Sequence, residues 1–184
     1  MFNFDDAKVE TGGNFKYIQP GIEEVIVSKI ETGKNSVGND YLEITVTNKE
    51  GATCNNRYSL STTVREGATK CAWDITKNQL FQLFLSTGTT EDKIKTAMGD
   101  AKTTEQLAES ASTILVGKKI RMKFNGEERE GKTPGSTWVL TKFGTGLFAE
   151  NLSVNPTKLT YSDAKNIKRL PTAVKAETVV DWNN

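Results

Sequence analysis

Two stretches of this chain alternate polar and apolar residues one by one, and that period admits a half-buried β-strand and little else. In Tyr41-Leu42-Glu43-Ile44-Thr45-Val46 the apolar Leu42, Ile44 and Val46 lie opposite Tyr41, Glu43 and Thr45. In the run from Lys118 to Phe124, Ile120, Met122 and Phe124 lie opposite Lys119, Arg121 and Lys123. Further strands flank these two. Residues Ile22 to Ile30 are rich in β-branched side chains, follow Pro20-Gly21 and lead into a polar loop from Thr32 to Asn39. After a turn at Asn48-Lys49-Glu50-Gly51, Thr53 to Leu60 places Cys54, Asn56, Tyr58 and Leu60 on one side, opposite Asn55, Arg57 and Ser59. Thr137 to Phe143 completes the set, and the first three strands make a meander.

Between strands three and four the period changes. Leu80, Phe81, Leu83 and Phe84 are spaced for a helix behind a cap at Asp74 or Thr76, and shorter helices open at Thr90 and at Thr103 or Thr104. The helical insertion spans about residues 74–110, with strand character returning at Ile114-Leu115-Val116. Gly126, Gly131, Pro134 and Gly135 mark Asn125 to Ser136 as a flexible loop. The resulting division is an N-terminal arm at 1–19 with Phe2, Phe4, Phe15 and Tyr17, a body at 20–150, and a polar, basic C-terminal arm or tail at 151–184. A chain of 184 residues suffices for one good core.

Composition removes much chemistry. The absence of histidine eliminates the usual general base, the Ser-His and Cys-His nucleophile systems and every zinc site that needs imidazole. Cys54 and Cys71 are too few for an all-cysteine zinc site, and two thiols without another staple fit a reducing compartment. The richest apolar run, Leu80 to Leu85, falls far short of the ~20 residues that cross a bilayer. The opening Met1-Phe2-Asn3-Phe4-Asp5-Asp6 is acidic where an export signal would be basic, so the expected location is the cytoplasm, that of the host cell if the protein is viral. No cofactor, metal or membrane association is expected.

Three strands, a helical segment and two strands form the order of an OB-fold, a five-stranded Greek-key barrel that binds oligonucleotides or oligosaccharides. The fold class expected is therefore mainly β with a helical insertion. A single strand of nucleic acid offers a line of phosphates and a series of π faces; cations follow the first, and aromatic rings stack on the second at ~1–3 kcal/mol per base. The candidate phosphate contacts are Lys119, Arg121 and Lys123 on strand four, with Arg57 and Arg129 from the neighbouring strand and loop. Tyr41, Tyr58 and Trp138 are the candidate stacking platforms. Tyr41 lies opposite the apolar stripe of its strand, whereas Tyr58 shares a side with Leu60, which favours the core.

The segments Pro20 to Val27, Gly38 to Val46 and Arg57-Tyr58-Ser59-Leu60 resemble a bacteriophage family of OB-fold single-stranded DNA-binding proteins over roughly residues 20–148. That resemblance implies a non-enzymatic protein that coats and protects single-stranded DNA, without sequence preference, during replication or recombination. It also implies a C-terminal tail that recruits replication or recombination proteins. Two features depart from the family: the C-terminal segment carries only Glu177, Asp181 and Trp182 of the expected acidic-aromatic character, and 24 Lys and Arg against 23 Asp and Glu leave a net charge of +1. Any binding surface must then be a local patch.

Three rival readings stand beside this one. In a structural or assembly module, the insertion and C-terminal arm make protein contacts and the basic strand is solvated surface. A magnesium-dependent nuclease would use Glu127, Glu128 and Glu130, but a glycine-rich loop holds no metal rigidly. A carbohydrate-binding module would leave the cationic strand without a purpose.

Overall fold

The computed structural model describes residues 16–171. Its longest strand, β1 (Gly21–Lys34), serves two neighbours in turn. Gly21–Ile26 pair antiparallel with β4 (Lys119–Glu130), and Val25–Lys34 pair with β2 (Asp40–Asn48), across a bulge between Val27 and Lys29. β2 pairs in turn with β3 (Thr53–Ser59), and β4 with β5 (Thr137–Phe143). The order is β3-β2-β1-β4-β5. Two short strands complete a seven-stranded sheet: β6 (Ala149–Glu150) lies antiparallel to β4 at Arg121 and Met122, and β7 (Ile167–Lys168) lies parallel to it at Gly126 and Glu127. The sheet curls so that β3 and β5 approach: the Cys54 thiol donates to the Thr141 carbonyl at 3.6 Å, and the rings of Tyr58 and Phe143 meet edge to face at 6.4 Å.

Helices α1 (Ala72–Ser86), α2 (Glu91–Gly99) and α3 (Thr104–Leu115) lie between β3 and β4, and a single turn, α4 (Asp163–Asn166), precedes β7. The class is α+β, mostly β. Leu80, Leu83 and Phe84 of α1 and Ala111 and Leu115 of α3 join Val25, Val27, Leu42, Ile44, Val46, Ile120, Met122 and Phe124 in one core. The alternation of β2 and the first half of β4 thus buries the residues expected from its period. Among the described residues, no helix is long and apolar enough to cross a membrane.

The structure corrects three segment boundaries, the first at Thr32 to Lys34, which were expected in a loop but continue β1 through pairing with Asp40 to Leu42. Ile114 and Leu115 are helical, because Ala111 and Leu115, four residues apart, bury one face of α3 completely, and that burial outweighs the β propensity of the Ile-Leu-Val run. Asn125 to Glu130 continue β4 where a loop was expected. Here glycine signals close packing: a Cβ at Gly126 would lie 2.7 Å from Val139 Cγ1 and 2.8 Å from Pro20 Cγ. Only residues 131–136 remain as the connection to β5.

Of the N-terminal arm, Tyr17 bridges to Thr53 and Ile18 is buried; Phe2, Phe4 and Phe15 lie outside the described residues. The segment after β6 crosses β4 and runs beside it through β7, so residues 151–171 lie against the body as a strap. Lys175, Glu177, Asp181 and Trp182 lie outside the described residues.

Candidate nucleic-acid interface

Lys119, Arg121 and Lys123 share the outer face of β4 but have different surroundings. Lys119 is exposed, Arg121 is half-buried, and Lys123 is only 8% exposed. The gradient follows the chain that returns over them. Lys123 N–H donates to the Phe148 carbonyl at 2.7 Å, its carbonyl accepts from Gly144 N–H at 2.8 Å, and β6 pairs alongside. The Arg121 guanidinium donates to Glu150 at 2.9 Å and to the Val154 carbonyl at 3.1 Å, and reaches Glu24 at 3.4 Å. Burial pushes the Glu150 carboxyl up, but Thr157, Arg121 and the Lys158 N–H outweigh it, leaving Glu150 below its ordinary value. Arg121 therefore anchors the strap, and the expected row of three phosphate contacts is reduced to Lys119. Strand periodicity reports which face a residue is on, but carries no information about what later covers that face.

Tyr58 is also removed from the stacking set. Its ring is 2% exposed in the core beside Phe143, and burial raises its phenol pKa. Tyr41, one position out of phase with the core residues, projects from the opposite side of the sheet. Its ring lies over Gly33, where a Cβ would come within 2.5 Å of the hydroxyl, and the Arg57 guanidinium sits 4.8 Å from the ring centroid. Arg57 is at the same time paired with Glu43, which Asn55 also holds at 3.0 Å; Arg57 first and then Asn55 keep the Glu43 carboxyl below its usual range despite partial burial.

The densest combination of ring and charge is on the β4–β5 hairpin. Cross-strand pairing puts Arg129 beside Trp138, Glu127 beside Leu140 and Asn125 beside Lys142, all on one face. Trp138 is 50% exposed, and its indole N–H donates to the Glu130 carbonyl at 3.3 Å. Lys168 enters from β7 as the parallel partner of Glu127. Three cations therefore surround one carboxylate: Lys142 Nζ at 2.7 Å, Arg129 Nη2 at 3.0 Å and Lys168 Nζ at 3.8 Å from Glu127 oxygens. Lys142 above all, then Arg129, holds the Glu127 carboxyl below the usual glutamate range. The patch has two positive charges in excess beside an accessible indole.

Arg129 and Trp138 are thus brought together, while Lys142 and Lys168 were missed as site residues and Glu127 entered only as a metal ligand of the rival nuclease reading. Lys142 had a visible signal, since it alternates with Trp138 and Leu140 along β5. Lys168 had none, because a parallel bridge to a residue some forty positions earlier leaves no local pattern.

The three glutamates considered for metal binding do not converge. Glu127 faces the cations, whereas Glu128 points to the other side, where it pairs with Arg169 and accepts from Leu170 N–H at 3.1 Å. Glu130 is exposed near the strand end. Among the described residues, no group of three His, Cys, Asp or Glu side chains is placed to hold a metal ion, and Cys54 and Cys71 are unpaired thiols. No protein-family model matches the sequence, and no curated protein matches it.

Proposed function

We propose that the protein binds single-stranded DNA without sequence preference, across the outer face of the β4–β5 hairpin, and protects it during replication or recombination. The observation that carries this reading is the half-exposed Trp138 beside Arg129, on the same strand-pair face as the cation cluster that Arg129, Lys142 and Lys168 form around Glu127. The indole supplies a stacking surface that accepts any base, and the cations supply phosphate contacts without reading sequence. The order β3-β2-β1-β4-β5, the approach of β3 to β5 and the helices between β3 and β4 support reading the sheet as a five-stranded OB barrel. Tyr41 with Arg57, and Lys119, are further contacts for a longer strand.

Tryptophan fluorescence titrated with poly(dT) at two salt concentrations tests the proposal. Binding quenches the emission, weakens steeply with salt, and, measured in a Trp182→Phe background, loses most of its quenching in Trp138→Phe, because Trp73 is half-buried in α1. Absence of quenching at low salt would remove the function. Salt-independent partner binding would favour an assembly module instead.

A further inference from the structure

We propose that Glu127 is the built-in counterion of the DNA site: it gathers the three cations and competes with the incoming phosphate, holding affinity below what the cations alone would give. The inference rests on the DNA-binding reading above. Its basis is the layering of the patch. The Glu127 side chain is 21% exposed, whereas those of Arg129, Lys142 and Lys168 are 47%, 48% and 80% exposed, so the carboxylate lies beneath the charges it collects. The cations come from three different strands, β4, β5 and β7, and would repel one another without it.

Two effects oppose each other when Glu127 is neutralised. Loss of its ion pairs frees the three side chains to spread, but exposed pairs contribute little and long side chains re-form contacts with phosphate readily. Loss of its charge removes a fixed repulsion acting on any phosphate that reaches the same cations. At a separation of ~6 Å in a partly hydrated setting, that repulsion corresponds to about three- to tenfold in affinity. The repulsion is the larger effect, so neutralisation tightens binding.

The test compares poly(dT) affinity of the parent chain, Glu127→Gln and the charge-matched control Glu109→Gln. Glu109 is exposed on α3 and has no ion pair among the described residues. Glu127→Gln is expected to bind about three- to tenfold tighter at low salt. Its salt slope steepens by up to about 0.7, one more cation being available to phosphate, while Glu109→Gln stays at the parent value. Thermal melting of each variant establishes that it is folded. Equal or weaker binding by Glu127→Gln overturns the assignment, as does an equal gain in Glu109→Gln, which would reduce the effect to net charge. If the parent itself fails to bind, the DNA-binding function falls and this inference with it, an outcome distinct from parent binding with no Glu127 effect.

Discussion

At the scale of single residues, the outer and inner aromatics of the meander are separated by strand phase alone. Tyr41 and Tyr58 pair with neighbours on adjacent strands, yet one projects outward beneath Arg57 and the other is sealed against Phe143. Burial has left the Tyr58 hydroxyl without a hydrogen-bond partner among the described residues. A buried, unpaired hydroxyl costs about 1–3 kcal/mol of desolvation, so deleting it at constant ring volume is expected to stabilise the fold. Tyr58→Phe should therefore raise Tm by about 2–12 °C and leave poly(dT) affinity unchanged. Thermal melting and fluorescence titration of the same preparation check both parts; lower affinity with an unchanged Tm would return Tyr58 to the binding surface.

At the scale of elements, α1 owes its start to Asp74, whose carboxylate accepts from Cys71 N–H at 3.2 Å and from the Cys71 thiol at 3.1 Å and pairs with Lys77 at 2.7 Å. Lys77 first, and then Cys71, hold its carboxyl at about 2 against an ordinary 3.8. A depressed folded-state pKa stabilises the protein above the unfolded value and ceases to do so as pH falls through the folded one. Asp74→Asn is accordingly expected to melt below the parent above pH 3.8, with the gap closing as pH drops toward about 2. Melting curves across that range measure it, and a gap that persists unchanged at the acid end would exclude the charged cap. The elements themselves were legible to different degrees. β2 and the inward half of β4 were readable because a half-buried strand must alternate, and α1 because Leu80, Leu83 and Phe84 recur at helical spacing. The end of α3 and the outer half of β4 were not, since burial at Leu115 and packing around Gly126 are set by segments distant in sequence.

At the scale of the whole molecule, the returning C-terminal strap determines which cations are accessible. Residues 144–150, which lead into it, cover Lys123, Glu150 and the Val154 carbonyl tie up Arg121, and β7 then delivers Lys168 to the hairpin on the far half of the same strand. Periodicity placed cations on β4 and an indole on β5, but it carries no trace of which half of β4 is covered, because coverage depends on where 144–158 is laid down. Two triple variants separate the halves. Replacing Arg129, Lys142 and Lys168 with alanine removes the proposed phosphate contacts and, with one of the three cations held by Glu127, should flatten the salt slope of poly(dT) binding by up to about 1.4 units, at roughly 0.7 per phosphate on a single strand. Its Tm should fall only slightly, because these pairs are largely solvated. Replacing Lys119, Arg121 and Lys123 should do the reverse: Glu150, 6% exposed, loses its guanidinium, so the strap loosens and Tm drops, while the slope changes by no more than the share of Lys119. A larger slope change in the second variant than in the first, with both folded, would place the DNA on the inner half of β4 and not on the hairpin.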